Sequence, residues 1–143
     1  MATVQRLLEI KGGEVWSVAP ETMVFEALQL MARRNVGALL VLEGDRLAGI
    51  ISERDYARSI ALKDRSSRIT PVREIMTGDV ISVRPEQTME ECMALMTEHH
   101  VRHLPVLDQA SRLAGVISIG DVVKHIISEK DFLIEQLESY ISA

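Results

Sequence analysis

The sequence contains two copies of one phrase, and that duplication constrains the fold more than any other feature. Laid over residues 80–126, residues 15–60 align at an offset of 65 as far as Leu42 and at 66 thereafter, because the second copy has one extra loop residue. "VWSVAPE" meets "VISVRPE", and "EALQLMARRNVGALLVLEGDRLAGIISERD" meets "ECMALMTEHHVRHLPVLDQASRLAGVISIGD". Each copy must therefore adopt the same short series of elements. A unit of roughly 46 residues cannot bury both faces of a three-stranded sheet alone, so the copies must pack on one another.

Within each copy the hydrophobic period changes in a fixed order. "VWSV" or "VISV" predicts a brief strand closed by Pro20 or Pro85. Val24, Ala27, Leu28 and Met31, and in the second copy Met89, Cys92, Met93 and Met96, recur at the spacing of one helix face. Thr88 and Glu91 form a capping box at the second helix. Met23 stands at the Thr88 position of the first copy, so that cap must come from elsewhere, with Thr22 the nearest candidate. "ALLVL-EGD-RLAGII" and "HLPVL-DQAS-RLAGVI" are hairpin signals, and a last helix starts at Ser52 or Ser118. The unit expected is β-α-β-β-α with a three-stranded sheet, in the α/β (α+β) class. The chain divides into residues 1–64 (an N-terminal helix and the first repeat), a linker at 65–79, the second repeat at 80–127, and an amphipathic C-terminal helix at 128–143. Phe132, Leu133, Leu137 and Ile141 mark that last helix.

Composition excludes several classes of function. A formal net charge of −5 argues against non-specific attraction to nucleic acid or anionic lipid, though not against a local basic cluster. The longest apolar runs, such as "GALLVL" at 37–42, fall far short of a membrane span. "MATVQRLLEI" lacks the pattern of a secretion signal, so a cytoplasmic location is expected. Cys92 is the single cysteine, which leaves no disulfide frame and no thiolate metal cluster.

The repeated "G-x-I-S-x-x-D" phrase carries the candidate chemistry. Ser52 and Asp55, and Ser118 and Asp121, stand in the first turn of a helix, where unpaired N–H groups and the dipole favour anions. An ionised Asp can accept from the adjacent hydroxyls of a ribose, and Arg54 offers fork-shaped recognition of phosphate. Gly49 and Gly115, late in a strand, permit a close backbone approach. The same Ser-x-x-Asp spacing is also a plain capping arrangement. In "RHLPV", Pro105 removes a ladder donor, which makes that strand an edge or locally irregular.

Taken together, "PVREIMTGDVISV", "RHLPVLD" and the two "G-x-I-S-x-x-D" phrases resemble the cystathionine β-synthase (CBS) domain. The resemblance runs from Val4 to about Ile127 and is to a stand-alone bacterial CBS pair, a Bateman module. It implies a tandem with a pseudo-twofold axis, a disc-like homodimer, and adenine nucleotides in clefts that mix the repeats. AMP, ADP or ATP is the implied ligand, with NAD(H) or S-adenosylmethionine as alternatives and no catalytic cofactor. Carried onto this sequence, one cleft sets Ser52, Arg54 and Asp55 against Ile81, Arg102 and His103, with Leu104 and Pro105 of the same strand. The other sets Ser118, Ile119 and Asp121 against Trp16, Gly37 and Ala38. The first is richer in cationic groups and is the better candidate for phosphate. The second holds a different ligand or none, and Trp16 serves either to stack on adenine or to cap the core.

Other signals carry less. His99 and His103 are four apart but straddle a predicted helix end and strand start, so no metal site is expected. Cys92 and the Met stripe read as core. No nucleophile–base constellation or phosphate-cradling glycine loop is present, so the chain is expected not to be an enzyme. The function expected is a regulatory ligand sensor. The alternative is a protein-interaction adaptor with vestigial clefts, and either would act through an unidentified effector protein.

Overall fold

Both copies fold as expected in outline in the computed structural model, which describes residues 2–142. Helix α1 (Val4–Lys11) precedes the first copy, which comprises β1 (Ser17–Val18), α2 (Val24–Arg34), β2 (Ala38–Glu43), β3 (Arg46–Ser52) and α3 (Glu53–Tyr56). Helix α3 runs into a π-helical turn at Ala57–Ala61. The second copy comprises α4 (Met89–His99), β4 (His103–Leu107), β5 (Leu113–Ser118) and α5 (Ile119–Ser142). The amphipathic tail is thus the continuation of the last helix rather than a separate element.

The first sheet has the order β1-β2-β3, with β1 parallel to β2 and β2 antiparallel to β3. The second has only β4 and β5, paired antiparallel from His103–Ser118 to Leu107–Leu113. The three-stranded sheet expected there is not formed, because "VISV" contributes a single parallel bridge between Val83 and Val106. Pro105 gives the reason. In the first copy Leu40 N–H donates to the Trp16 carbonyl at 3.2 Å. The equivalent pair is Pro105 and Ile81, and proline has no N–H to give.

The segments outside the repeats are exchanged between them. Ala2, Val4 and Leu7 lie in one core cluster with Val83, Met89, Cys92, Leu104 and Ile117 of the second copy. Val72 and Ile75 of the linker lie in the other cluster with Val24, Met31, Leu39 and Ile51 of the first. The docking is repeated bond for bond. Val4 and Gln5 donate to the carbonyls of Gln87 and Pro85, and Val72 and Arg73 donate to those of Thr22 and Pro20. Each repeat is completed by the arm that precedes the other one.

The arms also settle how the helices are capped. Thr88 and Glu91 form the expected capping box on α4. At α2 the N-cap is Met23, without a side-chain bond, and Thr22 accepts from Ala19 N–H instead of capping the helix. The linker supplies an acceptor with no counterpart at α4, the Ser67 carbonyl for Phe25 N–H, whereas the bond of Val24 N–H to the Thr70 carbonyl is matched at α4 by Met89 N–H on that of Ala2. A long-range contact replaces a local cap, which no local motif could announce.

Candidate functional site

Two crevices flank the junction of the repeats, and each draws its walls from both copies. The first, of about 500 Å³, is lined by Ser52, Arg54, Asp55, Ile81, Arg102 and His103. The second, of about 410 Å³, is lined by Trp16, Gly37, Ala38, Ser118 and Asp121. Gly37, Ala38, Ile50 and His103 form walls of both. Ala38 and His103 are equivalent positions in the duplication, so this shared partition marks where the copies exchange places.

Backbone bonds aim the two acidic residues into these spaces. Glu53 N–H donates to the Gly37 carbonyl at 3.0 Å, and Ile119 N–H donates to that of Arg102 at 2.9 Å. Each bond ties the start of the last helix to the start of the hairpin's first strand. Ser52 is the N-cap of α3 in a capping box, with Ser52 N–H and Oγ donating to Asp55 Oδ2 at 2.9 and 3.0 Å. Ser118 N–H donates to Asp121 Oδ2 at 2.9 Å. The capping reading of Ser-x-x-Asp holds, and it uses one carboxylate oxygen of each Asp. Oδ2 staples the helix start, and Oδ1 of each Asp has no hydrogen-bond partner among the described residues.

The expected residues Leu104, Pro105 and Ile119 line neither crevice. Leu104 is buried in the second core and Pro105 is buried outside that cluster, while Ile119 is 41% exposed with its N–H committed to the Arg102 carbonyl. Gly49 and Gly115 are also not there for a ligand. A β-carbon on Gly49 would meet the Thr77 carbonyl oxygen and the Met76 sulfur, and one on Gly115 would meet a Leu8 methyl. Both glycines admit an arm across the strand.

Several lining residues went unnamed in the sequence reading. Arg58 lines the first crevice one helical turn beyond Arg54, a spacing of four that was available to find it. Lys11 lines the second. It lies outside the duplicated unit, and no sequence signal placed it. Its Nζ donates to Asp121 Oδ2 at 2.5 Å and to the Val116 carbonyl at 2.8 Å. Burial pushes the Asp121 carboxyl up, but the Lys11 hydrogen bond, the Ser118 amide and the Lys11 charge outweigh it and hold it below the usual range. His103 is pushed down, by burial first and then by Lys11 and Arg102, against the opposing pull of Asp121. Arg54 Nη1 crosses the first crevice to the His100 carbonyl at 3.3 Å. The Arg34 guanidinium lies 4.0 Å over the Trp16 ring, which also packs on the first core.

A family model for the CBS domain matches residues 10–62 and 72–134. The chain belongs to the CBS domain family. Its relatives include a protein with CBS domains from Burkholderia ambifaria, whose structure matches with a TM-score of 0.86 and 51% identity. That match covers 89% of this chain and 95% of the other. A mitochondrial CBS domain-containing protein of Arabidopsis thaliana is 41% identical over 135 residues, which are 91% of this chain; the chain spans 65% of that protein's length. The fold is shared as well with a CBS domain pair crystallised with 5′-methylthioadenosine and S-adenosyl-L-methionine, with a TM-score of 0.79, 20% identity, and coverage of 90% of this chain and 98% of the other. As a CBS pair, the chain carries the pseudo-symmetry seen in its arms and partition. Among the described residues no helix is long and apolar enough to cross a membrane, and no three His, Cys, Asp or Glu side chains converge as metal ligands would.

Proposed function

We propose that this CBS pair is a non-catalytic regulatory module that senses an adenine nucleotide, with the first crevice as its principal site. AMP, ADP and ATP are the ligands proposed, and NAD(H) and S-adenosylmethionine share the adenosine part of the same chemistry. One observation carries the reading: Asp55, with a carboxylate oxygen unoccupied, faces the same space as Arg54, Arg58 and Arg102. A carboxylate that accepts from a ribose diol beside guanidinium groups that take a phosphate is the complement of a nucleotide. The volume falls in the range of small-ligand sites, roughly 300–1,000 Å³. Ile81 and the backbone around Arg102 and His103 are the proposed grip on adenine. In the second crevice Trp16, Gly37, Ala38, Ser118 and Asp121 hold the corresponding places. The related pair with bound 5′-methylthioadenosine and S-adenosyl-L-methionine supports adenosine compounds as the ligand class.

Sensing requires that the ligand favour one arrangement of repeats or subunits over another. The proposed assembly is a homodimer in the cytoplasm, reporting to an effector protein. The long helix α5 leaves Ile119, Val123, Ile127, Ile134 and Leu137 exposed, an apolar stripe suited to a second copy. That stripe also favours the adaptor reading, in which an effector binds there regardless of nucleotide. Calorimetric titration with AMP, ADP and ATP tests the proposal. Binding to the native chain, lost in Asp55→Ala and weakened in Arg102→Ala, is the result expected. No heat and no change in Tm with any of them at millimolar concentration would overturn it.

A further inference from the structure

Opposite charges in the two arms make the crevices chemically unlike. The arms correspond at an offset of 68, as Val4 and Val72 or Leu8 and Met76 show, and that count sets Lys11 against Asp79. At the first crevice, Thr77 N–H caps the Ile50 carbonyl at 2.9 Å, and Asp79 lines the wall. No cation is bonded to Asp55 among the described residues. At the second, the carbonyl equivalent to that of Ile50 belongs to Val116, and it is taken by Lys11 Nζ. The same ammonium closes on Asp121 Oδ2 in a pair whose side chains are only 31% and 26% exposed. A partly screened contact of this length, with a second acceptor on the same ammonium, is worth more than an open surface pair.

We infer that Lys11 is a built-in occupant of the second crevice, competing with a ligand diol for Asp121 and leaving the first crevice as the one that fills at low nucleotide concentration. This rests on the nucleotide reading above and assigns the second site its regulation. Only Oδ1 of Asp121 is open, so a ribose diol that engages both carboxylate oxygens must displace the ammonium from Oδ2. Lys11 is the last residue of α1, whose Leu8 is docked over Gly115, so the displacement is felt by the arm that completes the second repeat. A second nucleotide therefore binds more weakly and loosens the N-terminal helix, whereas the first does not.

Calorimetric titration of the full chain with AMP decides the matter, comparing the native protein with Lys11→Met and Lys11→Arg. Methionine keeps a long apolar stem without the charge. The native chain is expected to take one AMP per protomer tightly, and Lys11→Met two, with the second site tightened at least about tenfold. Lys11→Arg is expected to stay at one. Unchanged stoichiometry and affinity in Lys11→Met overturns the inference while the first site stands, and weaker binding makes Lys11 a ligand contact instead. Absence of binding to both proteins overturns this inference and the nucleotide reading together. Loss of the single native site in Asp55→Ala supports the latter alone. Should Lys11→Met fail to fold, acetic anhydride labelling of Lys11 in the native chain supplies the readout. Labelling that rises at saturating AMP supports displacement, and labelling that stays constant overturns it.

Discussion

The sulfur of Met76 lies 2.8 Å from the point where a β-carbon on Gly49 would stand, and the Thr77 carbonyl oxygen lies 2.7 Å from it. The position equivalent to Gly49 in the other copy is Gly115, and a Leu8 methyl lies 2.8 Å from the point where its β-carbon would stand. Two glycines written into the same phrase are thus two crossings of an arm over a sheet. They hold each repeat to the segment that precedes the other, and so fix the partition between the crevices.

These two contacts predict unequal costs for the same substitution. In Gly49→Ala the new methyl meets backbone, and Thr77 is paired with Ile50 in both directions, so it cannot withdraw. The expected loss is about 2–3 kcal/mol. In Gly115→Ala the obstacle is the far end of a leucine, which can rotate, and the loss is expected at about 1 kcal/mol or less. Urea unfolding of the two variants checks the order, and equal midpoints would refute it.

The sequence revealed what the repeat itself encodes and little of what lies between the copies. The duplication located the hairpins, the box at Thr88 and the two Ser-x-x-Asp phrases, because each is a local pattern. The family resemblance paired Asp55 with Arg102 and Asp121 with Trp16 across the copies, and the crevices are lined accordingly. The role of Gly49, the cap on α2 and the Lys11–Asp121 pair depend on contacts between distant segments. The arms match at an offset of 68 while the repeats match at 65 and then 66, so alignment of the repeats alone leaves the arms out. Pro105 was legible as a missing donor, but its consequence, a strand lost from the second sheet, needed the Trp16–Leu40 bond for comparison.

Restoring that donor should restore the pairing. Leucine stands at the equivalent position 40, so Pro105→Leu supplies an N–H facing the Ile81 carbonyl. The new amide at position 105 is expected to exchange at least about a hundredfold more slowly than an open amide. Native-state hydrogen exchange followed by NMR measures this directly. Exchange at the unprotected rate would show that something other than the missing donor keeps Ile81 out of the sheet.

Cys92 is fully buried in the second core, and its thiol is pushed up to about 11, by burial first and then by the Glu91 charge. Since the thiolate is the reactive species, the native protein is expected to leave a disulfide reagent unconsumed at about pH 8. One equivalent per chain should react once the protein is unfolded in urea. Rapid native reaction would mean that α4 opens locally at low cost.

His103, on the partition between the crevices, makes stability fall on mild acidification. Burial, Lys11 and Arg102 hold its folded pKa below the ordinary 6.5, with Asp121 opposing them. The unfolded chain therefore binds a proton at a higher pH than the folded one. The stability this group contributes is complete above 6.5, declines as the pH drops from 6.5 towards the folded value, and levels off below it. Asp121 acts lower on the scale, since its depressed carboxyl adds stability above the ordinary 3.8 and loses it as the pH falls through the folded value. Between about pH 7 and about pH 5 the native chain should thus lose more stability than His103→Gln, with the other histidines and carboxylates common to both. Urea midpoints measured across that range without ligand give the comparison, and parallel curves would show that the imidazole is not held neutral by its surroundings. Lys11→Met, which removes a positive neighbour, should move the His103 pKa up and shrink the difference between the two curves.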